Sequence, residues 1–437
     1  MGTILITNLA PIDATAAKMF EALFDASLQK GHTCVFWSCI HRKEHSPFYL
    51  PMRWDIGLWE DLFFKDVLKG YSGEAPAEAA EVWLPRLDRL CKQSAPRGKR
   101  SRLLETAYAV SRSILDRICP DILLSWNPLC PHTGILTDLC RNRGIPVYLL
   151  ERGPLPSTWY FEPGGLVGHS VLADVSLESL IPEEQWPGYA RFGKQTLEEL
   201  DFEAFNCYPQ STGTATFHSL IRNISKTKTG PKIAFFPPDD TSLGFTPEDH
   251  EDRRKHLPGY ASSYEAALAL ARGNPGGMTL FKPHPSFLEE DLPEEGAHGL
   301  LKVEEDFRRM IQWADVVGTS GSGLQLVALA AGKPVVSTGR DLLTGKGITY
   351  EARRPDQAAD AVSQAATRDG FQERIDRFHT FIGYLVRHFL LSMDLPGGLR
   401  PGPALKAMLA EQDPPGPGVD LRSVRGKLAT PEGMRLT

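Results

Sequence analysis

Short apolar, β-prone runs recur along this chain, and each stops at glycine, proline or a hydroxyl residue before a helix-like stretch begins. In the first half TILITN (3–8) is followed by an amphipathic run over 13–30 and then TCVFWS (33–38). Helical stretches near 58–69, 78–93 and 101–118 lead to DILLSW (121–126), a helix over 131–143 and PVYLLE (146–151). The second half restarts with KIAFFPP (232–238), a helix near 260–272, TLFKPHP (279–285) and a short LLKV strand. DVVGTS (315–320), a helix over 323–331, PVVSTG (334–339), and helices near 355–367 and 371–391 complete it. Strands alternating with helices require crossover connections, hence parallel sheets with helices on their faces. The expected fold class is α/β, two Rossmann-like parallel-sheet domains facing across a cleft. The first domain is read as 1–205, a polar, turn-rich linker as 206–230, and the second domain as 231–370. A C-terminal helix follows over 371–393, then a Pro/Gly-rich tail over 394–437.

Composition excludes several classes. A formal net charge of −6 over 437 residues argues against broad nucleic-acid binding, which needs basic surfaces. The seven cysteines show no CxxC pair and no zinc-type spacing, as expected of reduced thiols in a cytoplasmic protein. The N-terminus begins directly with a strand-like run and lacks the basic and apolar regions of a signal peptide. No segment is apolar enough to span a bilayer, so any membrane contact is expected to be peripheral. APRGKRSR (95–102) reads either as a solvated loop or as a contact with anionic lipid or an anionic acceptor, and HEDRRKH (250–256) as a solvated charge run.

Four second-half loops fall at expected strand carboxyl ends, where ligands of such sheets bind. In GTSGSG (318–323) a strand ends at Thr319 and Ser320, Gly321 and Gly323 permit close backbone approach, and Ser322 lies between them. The helix start offers N–H groups to an anion; the plainer reading is an ordinary capped loop. In KPHP (282–285) two prolines fix His284, with Lys282 two residues earlier and Pro285 after it. That imidazole can donate to a phosphate oxygen or sit in a rigid turn. Asp239 and Asp240 in PPDDTS (237–242) are either turn carboxylates or a base or nucleophile, with Ser242 able to orient one of them. The fourth loop, STGRDLLTGKG (337–347), contributes Gly339 and Lys346. In the first half Glu151 ends a strand before Arg152 and Gly153, as a general base or as a salt-bridge partner.

Together these loops resemble the bacterial capsule polysaccharide transferases that move 3-deoxy-D-manno-oct-2-ulosonic acid (Kdo) from CMP-Kdo. That family's donor domain runs Q-x-x-x-D-x-S, K-P-H-P, T-S-x-x-G-x-E-A-L and G-x-P-F-Y-x-x-W-G-L-T. FPPDDTS, KPHP, TSGSGLQLV and GRDLLTGKGIT match in order over 236–349, and ERGPLP resembles the family's E-D-G-F-L-R. The departures are Phe236 for the glutamine, Gln325 for the glutamate, and Arg152 for the second acid of E-D-G. In the last loop Asp341, Leu342, Leu343 and Lys346 stand for Pro, Phe, Tyr and Trp. The resemblance implies the GT-B fold and glycosyl transfer from a CMP-activated 2-keto acid sugar to a surface glycan or glycolipid, without a metal or other cofactor. It implies Asp240 as the essential carboxylate, His284 on the CMP phosphate, Thr319 and Ser320 as a hydroxyl pair on that phosphate, and Glu151 as the acceptor base. The remaining donor-binding expectations are Lys282, Pro285, Ser242, Gly321, Ser322, Gly323, Gly339 and Lys346. Rival readings are a UDP- or other nucleotide-sugar transferase or 2-epimerase of the same fold, and a non-catalytic sugar- or nucleotide-binding relative.

Overall fold

The computed structural model describes residues 2–8, 19, 20, 23, 27, 30–38, 49–51, 75–90, 97–126, 128, 131–200, 229–240, 251–284 and 299–392. The chain forms two compact units. The expected helix over 58–69, most of the linker and the Pro/Gly-rich tail lie outside the described residues, as do Ser242 and Pro285.

In the first unit β1 (Thr3–Asn8), β2 (Thr33–Ser38), β3 (Tyr49–Pro51), β4 (Ile122–Trp126) and β5 (Val147–Arg152) are mutually parallel. Two strands the sequence did not announce extend the sheet: β6 (Thr158–Glu162), antiparallel to β5, and the late β13 (Leu391–Ser392), antiparallel to β6. The order is β3-β2-β1-β4-β5-β6-β13. Helices α1 (Ala77–Leu90), α2 (Arg97–Ile118) and α3 (Pro131–Asn142) belong to this unit. Alternate residues of a strand share a face. Ile4 and Ile6, Ile122, Leu124 and Trp126, Tyr148 and Leu150 accordingly build one buried cluster with Trp159 and Phe161. The basic segment 95–102 is not a loop throughout: α2 begins at Arg97. Arg and Lys propagate a helix well, and Pro96 just before it suits a helix start.

The second unit holds β7 (Lys232–Phe236), β8 (Met278–Phe281), β9 (Leu300–Lys302), β10 (Val316–Thr319), β11 (Val335–Ser337) and β12 (Tyr350–Glu351). All pairings are parallel, in the order β12-β11-β10-β7-β8-β9. Counted within the unit this is 3-2-1-4-5-6, the doubly wound Rossmann order. The two Rossmann-like α/β units expected from the sequence are therefore present. Helices cover both faces, so β7, β8 and β10 are apolar and buried almost along their length. Phe235 stacks on Phe281 at 5.9 Å, and Tyr264 meets Phe281 edge-on at 5.5 Å.

Residues 165–199 pack with the second unit, although the sequence reading drew the domain boundary at 205. They carry α4 (Trp186–Glu199), which runs against α10 (Phe371–Tyr384); between the two in sequence come α5 (Glu251–His256), α6 (Ser263–Arg272), α7 (Phe307–Trp313), α8 (Leu324–Ala330) and α9 (Ala358–Thr367). The α4–α10 crossing is backbone on backbone. A Cβ on Gly193 would stand 1.9 Å from the His379 carbonyl oxygen, and one on Gly383 would stand 2.2 Å from that of Tyr189. The charge run ending at His256 is not wholly solvated either. His256 is buried, its Nδ1 accepting the Gly168 N–H at 3.0 Å and its carbonyl the Arg340 N–H at 2.7 Å.

Gly193→Val should therefore force the two helices apart. The expected loss is about 1–3 kcal/mol, the usual cost of overpacking, read as a lower midpoint in thermal or denaturant unfolding. An unchanged midpoint would contradict the crossing.

Candidate functional site

Parallel strands deliver all their carboxyl ends to one edge. In the second unit the strand order reverses between β7 and β10, the position where doubly wound sheets leave a crevice. Four central strands, β8, β7, β10 and β11, deliver the KPH, PPDD, TSGSG and STGRD loops to that edge in that order. The structure thus gathers Lys282, His284, Asp240, Thr319, Ser320, Gly321, Ser322, Gly323 and Gly339 along one edge. Glu151 lies at the corresponding edge of the first unit's sheet.

Asp240 is buried and held by the first residue of α6. Its Oδ2 accepts the Ser263 N–H at 3.0 Å, and its Oδ1 accepts the Ser263 hydroxyl. The helix start is completed locally: Ser262 Oγ accepts the Glu265 N–H at 3.1 Å, and Glu265 reaches back to the Ala261 N–H. A carboxylate at a helix N-terminus is stabilised by the helix's positive end as well as by the hydrogen bonds. Asp239, its neighbour, is partly exposed.

His284 and Lys282 are partly buried, and burial lowers the pKa of both. Asp239 opposes the fall at His284, and Lys282 reinforces it. At Lys282 the opposing charges are Glu304, Asp306 and Glu305, in the loop after β9. Glu305 went unremarked in the sequence. It is fully buried, with Oε1 on the Asp306 N–H at 2.9 Å and 3.6 Å from Arg309, and Oε2 without a hydrogen-bond partner.

The TSGSG loop is built around Thr319. Its hydroxyl donates to the Phe236 carbonyl at 2.9 Å and accepts the N–H groups of Gly321 and Ser322 at 3.2 and 2.8 Å. One donor and two acceptor positions exhaust a hydroxyl. Ser320 Oγ pairs with Thr338 Oγ1 at 3.1 Å, and Thr338 Oγ1 donates to the Thr319 carbonyl at 3.0 Å. Both side chains are fully buried, so they brace the loop, and a ligand would meet mainly its backbone and Ser322. Gly321 has φ +111°, a conformation other residues rarely adopt. Gly339 must be glycine for space, since a Cβ there would stand 2.1 Å from the Ser320 carbonyl oxygen.

Behind this loop Gln325 Nε2 donates to Asp341 Oδ2 at 2.7 Å, and Asp341 Oδ1 accepts the Leu343 N–H at 2.7 Å. Both side chains are buried, and burial raises the Asp341 pKa. Lys346 has no exposed surface. Its ammonium donates to the carbonyls of Leu172, Val175 (3.0 Å) and Thr344 (3.1 Å) and lies 5.1 Å from the Phe381 ring centre. Three protons on three carbonyls make Lys346 a tie to residues 172–175; contact with a donor would break one of these bonds. Arg340 with Asp174, and Arg377 with Glu178 at 2.7 Å, hold the same segment.

In the first unit Glu151 is partly exposed at the end of β5, yet burial raises its pKa, opposed by the Arg152 N–H donated to its Oε1 at 2.8 Å. The Arg152 guanidinium lies 5.5 and 5.1 Å from the ring centres of Trp126 and Trp159.

No protein-family model and no curated protein matches the chain. Solved structures resemble it. KpsC of Thermosulfurimonas dismutans, a β-Kdo 2,7 transferase, is 17% identical over 62% of this chain and 88% of its own, with a TM-score of 0.35. A putative UDP-N-acetylglucosamine 2-epimerase from Listeria monocytogenes is 11% identical over 95% and 98%, at 0.34. The Streptomyces sp. SF2575 glycosyltransferase SsfS6, complexed with thymidine diphosphate, is 15% identical over 89% and 99%, at 0.27. All three scores are below 0.5, and the likeness carries no functional weight. Among the described residues no helix is long and apolar enough to cross a membrane.

Lys346 has a pH signature. Burial holds its pKa down to about 8, against 10.5 for an ordinary lysine. Between those values the folded protein has released a proton that the unfolded chain still binds, so this position adds stability as pH rises across the window. Below the window its contribution is flat. Lys346→Met, compared with the unsubstituted protein by thermal unfolding from pH 7 to 10, should lose that upward slope.

Proposed function

We propose that the chain is a glycosyltransferase whose second unit binds a CMP-activated sugar, Kdo or another 2-keto acid sugar. The acceptor in this reading is a surface glycan or glycolipid. The observation that carries it is the convergence of the KPH, PPDD, TSGSG and STGRD loops on one sheet edge at the strand-order reversal. A nucleoside monophosphate leaving group bears less charge than a diphosphate. Lys282, a ring N–H of His284 and the loop backbone supply donors suited to it. Asp240, pre-positioned by Ser263, would stabilise or capture the anomeric carbon. Glu151 would take the proton of the acceptor hydroxyl; its raised pKa is in the direction that suits a base near neutral pH. Gly339 and Thr319 serve by shaping the loop. Ser242 and Pro285 keep their expected donor contacts as part of the proposal, and a peripheral contact with the inner membrane surface fits a glycolipid acceptor.

A thermal-shift panel of CMP, UDP, GDP and dTDP tests the donor. CMP at 100 times its dissociation constant should stabilise the protein by about 2.7 kcal/mol, and His284→Ala should weaken CMP roughly 10- to 150-fold. UDP acting where CMP does not would move the reading to a UDP-sugar enzyme. CMP binding without turnover of any CMP-sugar would make it a binding protein.

Asp240→Ala should abolish transfer and also lower stability by about 1 kcal/mol through loss of its contact with the α6 N-terminus. Transfer surviving in this variant would remove Asp240 from the chemistry.

A further inference from the structure

The edge of the first unit's sheet carries a cation that the chemistry proposed above does not use. β4 ends at Trp126, β5 ends at Arg152 and the antiparallel β6 starts at Thr158, so these three ends lie together. Alternate residues of a strand share a face. Arg152 therefore continues the face of Tyr148 and Leu150, which belong to the buried cluster of Trp126, Trp159 and Phe161. Its partner in register on β6 is Trp159. The guanidinium lies 5.5 Å from the Trp126 ring centre and 5.1 Å from that of Trp159. Those two indoles meet edge-on at 4.9 Å, and Phe20 lies 6.1 and 6.2 Å from them. Both indoles are almost fully buried, whereas Arg152 is partly exposed. Packed rings thus form a floor, and the charge rests on it at the sheet edge.

We infer that Arg152 is a specificity-determining residue that binds an anionic group, a carboxylate or a phosphate, carried by the acceptor sugar. Attraction to ring faces acts through the charge and does not in itself use up N–H donors. A guanidinium has five of them, in a planar fork that fits two anionic oxygens. Holding it on packed rings removes beforehand some of the side-chain freedom that binding would cost. Glu151, one residue earlier, accepts the Arg152 N–H on Oε1 at 2.8 Å. Burial raises the Glu151 pKa, and the Arg152 N–H, the Trp126 side chain and the Arg152 charge oppose the rise, so the guanidinium is felt at that carboxyl group. An acceptor whose hydroxyl meets Glu151 therefore meets a positive charge at the same strand end. The sequence has arginine where the resembled E-D-G pattern has an acid. That reversal of sign turns a position that repels an anion into one that attracts it. The inference rests on Glu151 as the acceptor's base only for which ligand carries the anion.

The test follows the indole N–H signals of the eight tryptophans by NMR in the full chain, with Trp126→Phe and Trp159→Phe to assign two of them. Three probes are titrated: methyl β-D-glucuronide for a carboxylate, glucose 6-phosphate for a phosphate, and methyl β-D-glucoside as the neutral sugar. At least one anion should shift the Trp126 and Trp159 signals saturably, and the glucoside should bind roughly 10-fold more weakly or worse. Which anion acts tells a sugar acid from a phosphorylated sugar. Arg152→Gln should remove the preference for the anion. Arg152→Lys keeps the charge without the planar fork and should weaken the anion several-fold while leaving the glucoside alone; it decides the matter if Arg152→Gln does not fold. Glucoside binding as tightly as the anions overturns the inference, as does failure of both anions to move these two signals. A variant that lowers the unfolding midpoint yet keeps the preference makes Arg152 a brace for the rings, and that also overturns it. No nucleotide and no turnover enter the test. Failure of CMP to bind would end the donor reading without touching this inference, and anions that ignore Arg152 would end the inference and leave the donor reading standing.

Discussion

Parallel strand pairing is the constraint on which the rest of the second unit depends. It sends every strand's carboxyl end to one edge, and the reversal of order between β7 and β10 splits the connections left and right of that point. Asp240, His284 and Thr319, far apart in sequence, then lie on the loops of adjacent strands. The apolar strands beneath, buried on both faces, make that edge rigid. Side chains on loops anchored in this way lose little freedom on meeting a ligand.

The polar residues at the edge divide into two kinds. Thr319, Ser320, Thr338 and Asp240 use their hydrogen-bonding groups on the protein, closing the turn after β10 and fixing the PPDD loop to α6. Lys282, His284 and Asp239 remain partly exposed. A hydroxyl in a strand-end loop looks the same in sequence whether it faces a ligand or its own backbone. Only the count of bonds it makes separates the two, and for Thr319 that count is full.

Much of this architecture was legible. TILITN and TCVFWS are β1 and β2 residue for residue, and the second-half strands end where glycine, proline or hydroxyl residues were read as stops. What was not legible depends on distant partners. TWYFE became β6 by pairing backward on β5, and Leu391–Ser392 joined the same sheet from the far end of the chain. Residues 165–199 have no strand-like pattern to assign them to a unit. Their place is set by close glycine approaches at Gly168 and Gly193 and by Lys346, Arg340 and Arg377 reaching across from remote positions. Burial of His256 follows from the same contacts, which a charge run cannot disclose.

The departures from the capsule-transferase pattern gain a physical sense once placed. Gln325 and Asp341 stand at two points where the chain differs from the resembled pattern, and they touch, amide to carboxylate, at 2.7 Å. They form one buried hydrogen-bonded pair, so that a change at either would leave the other without this partner. Leu342, Leu343 and Lys346 are buried as well, Lys346 on three carbonyls. These positions therefore brace the loop from behind and are not part of the face offered to a ligand. On the other side of the loops, Lys282, His284 and Asp239 stay partly exposed at the sheet edge that this brace supports.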